Sequence, residues 1–124
     1  MNLATARSAL ESGWNCRLTT QGRKTGFPRQ VTIWFALDGE EVVLAGSPEG
    51  PHWLRNLAVN PDVELEIAGH RLRGQARVVE DEAGAEAVRQ CFVRRYLAAR
   101  LTRPFGGYTK STAVRVAIES VAKL

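Results

Sequence analysis

Alternation of apolar and polar positions, and its breaks, lays out most of the chain. Residues 14–20, WNCRLTT, alternate and read as a strand with Trp14, Cys16 and Leu18 on one face. Residues 29–37, RQVTIWFAL, are rich in β-branched and aromatic residues, and EEVVLAG follows after Asp38-Gly39. Asp-Gly between two such runs predicts a hairpin, because a type I′ turn needs positive φ at both central positions. A two-residue turn there sets Ile33 opposite Leu44, Phe35 opposite Val42, and Trp34 beside Val43 on the other face. Both faces are apolar, so both should be covered, one by the core and one by a partner or ligand. Residues 62–67, DVELEI, and 70–79, HRLRGQARVV, join at Ala68-Gly69. That turn pairs Glu66 with Arg71 and Glu64 with Arg73, and sets Leu65 against Leu72, so charges and apolar residues sort together. A last strand, TAVRVAIES, carries Val114, Val116 and Ile118 on one face.

Three helices complete the plan. Residues 3–12 are weakly amphipathic. Residues 51–59 follow Ser47 and Gly50, either of which can cap; Pro51 suits a first turn and Asn60-Pro61 is a stop. Residues 81–100 are Ala-rich, acidic at the start and Arg-rich at the end, which matches the helix dipole; TRPFGGY breaks them. The order is β-β-β-α-β-β-α-β. The fold class is mainly β (α+β): one domain over 1–124, a six-stranded antiparallel barrel, closed or nearly so, with flanking helices. Closure removes exposed edges.

Composition narrows the function classes. The 124 residues suit one core, with 44% hydrophobic and 24% charged residues. No apolar run is long enough to cross a bilayer, and the start lacks the apolar centre of a signal peptide, so the expected location is cytoplasmic, with no stable membrane insertion. Cys16 and Cys91 show neither metal-type nor redox-type spacing, and Cys16 is expected as a buried reduced thiol. His52 and His70 have no ligands clustered beside them, so no metal is expected. A net charge of +4 permits an anionic ligand, but there is no nucleic-acid-binding module.

The chemistry concentrates in TTQGRKTGFPR, residues 19–29, where Arg23, Lys24 and Arg29 surround Gly22 and Gly26. Glycines allow backbone N–H groups to converge on an anion, Arg offers a fork to phosphate oxygens, and Lys offers a point charge. A solvated hairpin loop accounts for the same residues. The helix start near Pro51 supplies a second set of free N–H groups, and Trp53 and Asn56, three apart, share a helix face. Trp53 fits core or ligand wall; Asn56 fits a ligand contact or a loop brace; His52 reads as a surface residue or loop anchor.

Together, TTQGRKTGFPR, the apolar hairpin through Asp38-Gly39, and AGSPEGPHWLRNLAVNPDVELEI resemble the deazaflavin (coenzyme F420)-dependent nitroreductase family, one of the pyridoxamine-phosphate-oxidase-like split β-barrels. The resemblance covers residues 19–67. It implies a split β-barrel that binds coenzyme F420. Arg23, Lys24 and Arg29 would hold its phosphate, with Gly22, Thr25 and Gly26 in the same connection. Thr32, Ile33, Ala45, Gly46 and Ser47 would line the ring system, and Trp53 and Asn56 would complete the wall. Trp34 falls where the family presents an aromatic to the substrate, and Tyr96 and Tyr108 are candidate proton donors. The implied activity is hydride transfer to a small-molecule acceptor, a quinone, nitroaromatic or unsaturated carbonyl. That suits a sequence with no nucleophile–base pair and no paired carboxylates. Two alternatives stay open, an FMN-binding oxidoreductase of the same fold and a non-catalytic cofactor carrier. The doubly apolar hairpin adds the expectation of a homodimer. Arg71 and Arg73 read as structural, Arg77 has no evident partner, and the Arg-rich run 89–103 reads as a solvated helix face.

Overall fold

The computed structural model describes residues 2–47, 49–96 and 111–124. The element order is α1 (Leu3–Glu11), β1 (Cys16–Gln21), β2 (Pro28–Ile33), β3 (Ala36–Asp38), β4 (Glu41–Gly46), α2 (His52–Val59), β5 (Asp62–Ile67), β6 (His70–Val79), α3 (Glu82–Arg95) and β7 (Thr112–Lys123). All strands join one antiparallel sheet in the order β2-β1-β5-β6-β7-β4-β3. Consecutive strands β2 and β3 thus occupy opposite edges, joined only through Trp34-Phe35. The sheet has to curl until its edges nearly meet, which is a split barrel with flanking helices.

Among the described residues the count is seven strands, not six, because the run 29–37 is two strands. Its first part pairs with β1, setting Cys16 opposite Ile33. Its second part pairs with β4, setting Ala36 opposite Val43 and Leu37 opposite Val42. Ile33 therefore does not face Leu44. The turn is Gly39-Glu40 rather than Asp38-Gly39, since Asp38 pairs with Glu41 and Gly39 alone has positive φ, at 61°. Glycine first is the type II′ choice, in place of the type I′ turn expected from Asp-Gly. The partner of Val42 shifts by two residues, from Phe35 to Leu37, so the assignment of faces survives the change of register.

The β5–β6 hairpin has the expected register, Glu66 opposite Arg71 and Leu65 opposite Leu72. Both turn residues have positive φ, 48° at Ala68 and 76° at Gly69, as a type I′ turn demands. Asn2 caps α1 through Thr5 N–H, and Asp81 caps α3 through Gly84 N–H.

Two apolar clusters hold the fold. The larger fills the curl of the sheet with Leu18, Phe35, Leu44, Leu65, Leu72 and Val114, and α1 and α2 close it with Leu10 and Leu57. Each fully buried side chain of this kind contributes about 1.5–3 kcal/mol. The smaller joins Ala36, Val43 and Ala113 to Val88, Cys91 and Phe92 of α3, with Trp34 against it. Helix α3 thus covers the second apolar face of the β3–β4 hairpin, and that face supplies no reason for a second copy of the chain. Elsewhere among the described residues, Trp14, Phe27 and Val59 are exposed apolar side chains. Trp14 stands outside β1 and is 72% exposed, so only Cys16 and Leu18 of its expected face point inward. Burial pushes the Cys16 thiol up to about 12, which leaves it protonated and unreactive.

Arg77 does have a partner, since its guanidinium meets Glu41 at 2.7 Å across the sheet. Arg89 is not on a solvated face: it is buried, bonded to Glu82 at 2.7 Å, and donates to the Ser111 carbonyl at 3.2 Å. No helix among the described residues is long and apolar enough to cross a membrane.

Candidate functional site

A cleft of about 540 Å³ opens between the β1–β2 connection, β2 and the start of α2. Its volume is in the range of small-molecule sites. Of the expected residues, Gly22, Arg23, Lys24, Thr25, Arg29, Trp53 and Asn56 line it; so do Thr20, Gln30, Val31, Pro51 and His52.

The β1–β2 connection is held by its own backbone. Gly22 N–H donates to the Phe27 carbonyl at 2.9 Å, and Gly26 N–H donates to the Gly22 carbonyl at 2.8 Å. Gly26 has φ of 78°, a conformation glycine adopts without strain. A Cβ on Gly22 would lie 2.9 Å from Thr25 Oγ1 and 3.0 Å from the Phe27 oxygen, so the turn closes too tightly for a side chain there. The two glycine N–H groups are therefore spent inside the turn and do not form the expected anion cradle. What the turn presents to the cleft is side chains.

Asn56 braces this connection. It is 3% exposed on α2, and its Oδ1 accepts from Arg23 N–H at 3.2 Å and from Arg23 Nη1 at 2.8 Å. Its Nδ2 donates to the Thr20 hydroxyl at 3.3 Å. His52 Nδ1 lies 3.4 Å from Arg23 Nη2. Among the described residues none of Arg23, Lys24 and Arg29 forms an ion pair. Lys24 and Arg29 are exposed, one on the turn and one on β2 opposite Thr20.

Helix α2 starts at the same wall. Pro51 is its N-cap and makes no side-chain cap bond, so the first N–H groups are left for solvent or a ligand. Trp53 lines the cleft with its indole backed onto β4. A Cβ on Gly46 would sit 3.0 Å from Trp53 Cζ2, so glycine there lets the ring lie close to the strand.

The remaining expected residues lie elsewhere or deeper. Thr32 is exposed on β2 opposite Arg17, and Ile33 packs on the larger cluster. Ala45 packs on the smaller cluster, and Ser47 is exposed just beyond β4. Trp34 does not line the cleft; it stacks on Tyr96 with ring centroids 4.4 Å apart and planes 12° from parallel. The Tyr96 hydroxyl lies 2.8 Å from the Phe35 carbonyl and 3.0 Å from the Trp14 carbonyl, and accepts from Phe35 N–H at 3.4 Å. That hydroxyl is buried in backbone contacts and pins the β2–β3 crossover, a structural post rather than a proton donor facing the cleft. Tyr108 lies outside the described residues.

Thr20 is, with Gln30 and Val31, a cleft residue that sequence reasoning passed over. Its signal was visible: in WNCRLTT it shares parity with Cys16 and Leu18, so a hydroxyl was due on an inward face, where it needs a partner.

The architecture is that of a split β-barrel with flanking helices. Residues 5–116 match the F420H(2)-dependent quinone reductase family, and the chain belongs to that family. The F420H(2)-dependent quinone reductase Rv1261c of Mycobacterium tuberculosis (strain H37Rv) is 36% identical over 67 residues, 51% of this chain and 45% of that protein. The chain thus matches about half the length of its curated relatives. A solved structure described as an F420 reductase is 25% identical with a TM-score of 0.73, covering 95% of this chain and 96% of that one. The conserved hypothetical protein Rv2991 of Mycobacterium tuberculosis has a TM-score of 0.78 at 20% identity, covering 98% of this chain and 82% of that one. The deazaflavin-dependent family read from residues 19–67 is borne out at this level.

Proposed function

We propose that this protein binds coenzyme F420 in the β1–β2/α2 cleft and serves as a reductase for a small-molecule acceptor, a quinone in the first instance, with nitroaromatics or unsaturated carbonyls as further acceptors. The observation that carries the reading is the trio Arg23, Lys24 and Arg29 at one cleft wall without a carboxylate partner among the described residues. Family membership names the cofactor that such a site would take. The residues present fit it: a phosphate needs cations that are not already neutralised, and a flat ring needs an aromatic or apolar wall, which Trp53 and Val31 offer.

When bound, the coenzyme supplies the hydride. The protein's part is to bind and orient. Lys24 and Arg29 would engage the phosphate from the exposed rim, and Arg23 would do so from a braced position. The unused N–H groups at the start of α2 would favour negative charge on the ligand. Trp53 would limit the ring's tilt and exclude water from its face. Gly46 would act indirectly, by letting the Trp53 indole lie close to β4. Trp34, stacked away from the cleft, would influence the acceptor only through the crossover it helps to hold.

The test is a fluorescence titration of purified protein with coenzyme F420 and, separately, with FMN, followed by turnover of reduced coenzyme across a quinone and nitroaromatic panel. Tight F420 binding with quinone reduction is the expected result. Preference for FMN would transfer the site to a flavin. F420 binding with no turnover on any acceptor would make the chain a carrier.

A further inference from the structure

The cation that sits deepest at the cleft wall is held by a neutral partner. Arg23 bonds through both its backbone N–H and its guanidinium to one oxygen, Asn56 Oδ1, at 3.2 and 2.8 Å. A carboxylate in that position would hold Arg23 more firmly, but it would also cancel its charge. An amide fixes the geometry and leaves the charge available.

The amide in turn needs an acceptor for its other end. Asn56 is 3% exposed, and its NH₂ group points into the protein, where the Thr20 hydroxyl receives it at 3.3 Å. Thr20 is 2% exposed, on β1, opposite Arg29 of β2. Two N–H donors of Arg23 require the carbonyl end of the amide. Thr20 can accept from the NH₂ end, so this one amide orientation satisfies all three neighbours. Remove the hydroxyl, and the NH₂ group is buried without a partner. The amide then gains by leaving its position, and Arg23 loses its brace.

We infer that Thr20 and Asn56 form a neutral positioning relay, which presents the Arg23 guanidinium to a phosphate in the cleft without neutralising it. The inference rests on the coenzyme-binding reading above. It assigns to Asn56 a different part from the wall contact implied by family resemblance, and it brings in Thr20, which lines the cleft and acts on Arg23 through Asn56.

The experiment uses Thr20→Val, Thr20→Ser and Asn56→Asp in the full chain, each checked for folding by circular dichroism. Coenzyme affinity is measured by fluorescence, and inorganic phosphate is titrated while the Arg23 Nε–H signal is followed by NMR. Thr20→Val is expected to raise the coenzyme Kd and KM about 5- to 10-fold, with kcat at saturation falling less than twofold. Thr20→Ser restores the hydroxyl and should stay within twofold of wild type. Asn56→Asp keeps both bonds to Arg23 yet adds a negative charge, so it should weaken the coenzyme by at least about tenfold and abolish the phosphate-dependent shift at Arg23. Wild-type affinity in both Thr20→Val and Asn56→Asp overturns the relay. If Thr20→Val does not fold, Asn56→Asp decides. If wild-type protein binds no coenzyme, the proposed function fails. The relay is then judged by phosphate alone, and it fails too if the Arg23 signal responds equally in wild type and Asn56→Asp.

Discussion

Two groups of cations among the described residues have opposite electrostatics. Across β3, β4, β6 and β7, Arg115 bonds to Asp38 at 2.9 Å and Glu41 at 3.2 Å, and Arg77 adds a second contact to Glu41 at 2.7 Å. On β5 and β6, Arg71 and Arg73 meet Glu64 and Glu66. In the cleft, Arg23, Lys24 and Arg29 have no such partners among the described residues, and the group that holds Arg23 is an amide. Paired charges stabilise what they connect and have little left for a ligand. Unpaired charges gathered at one wall repel each other, which costs stability, and keep their attraction for an anion. The contrast separates charges that serve the fold from charges that serve a site.

The sharpest way to break this comparison is to exchange the effects. Arg115 is the least exposed of the paired arginines on the sheet, and removing it leaves Asp38 and Glu41 partly buried without it. Arg115→Ala should cost about 2–3 kcal/mol of stability in denaturant unfolding, because stranded charges in partial burial are expensive. Coenzyme affinity per folded molecule should not change. A loss of affinity with stability intact would reverse the roles of the two regions.

In the cleft the pattern should invert. Lys24→Ala and Arg29→Ala each remove a charge-assisted bond worth about 1.5–3 kcal/mol, so each should weaken coenzyme F420 by about 10- to 100-fold in a fluorescence titration. Their melting temperatures should be equal to wild type or higher, since a like-charge repulsion is relieved. Unchanged affinity in both variants would return residues 22–29 to the status of a solvated turn.

Glu41 gives a pH test of the paired region. Hydrogen bonding from Arg77, then its charge, with the same two effects from Arg115, holds the Glu41 carboxyl below its ordinary value, against an opposing effect of burial. A depressed folded-state pKa means that the contribution is complete above the unfolded value of 4.5 and is lost as pH falls through the lower folded value. Wild-type protein should lose melting temperature below about pH 4.5, and Glu41→Gln should lose less over the same interval. At neutral pH Glu41→Gln should cost about 1 kcal/mol, discounted for solvent access. An identical acid profile in the two proteins would remove Glu41 from the account.

The smallest effect is expected where pairing is most exposed. Arg73 has two-thirds of its side chain open to solvent, so Arg73→Ala should cost less than about 0.5 kcal/mol and leave coenzyme affinity within twofold. A larger loss of affinity would extend the ligand site to the β5–β6 hairpin.

Local pattern carried much of this. The β5–β6 register was readable because Ala68-Gly69 allows one tight turn and the flanking charges and leucines match in only one alignment. The second face of the 29–46 hairpin was legible as apolar, because parity along a strand is local. So was the concentration of cations in 19–29, together with Trp53 and Asn56 on one face of α2. What covers that second face was not legible, because α3 is about forty residues further along the chain and packs on Val43 only once the sheet has brought the two together. The bend at Trp34-Phe35, which sends one apolar run to both edges of the sheet, depends on the curl of all seven strands and has no signature within nine residues. The fate of the cations was likewise tertiary. Arg77 looked unpaired because Glu41 is thirty-six positions away, whereas Arg23 proved to be braced by a neutral amide from another element. Residue type and spacing determine which charges and faces exist; only the closing of β1, β2 and α2 around one cleft decides which of those charges are left unneutralised, because neutralisation depends on distance in space.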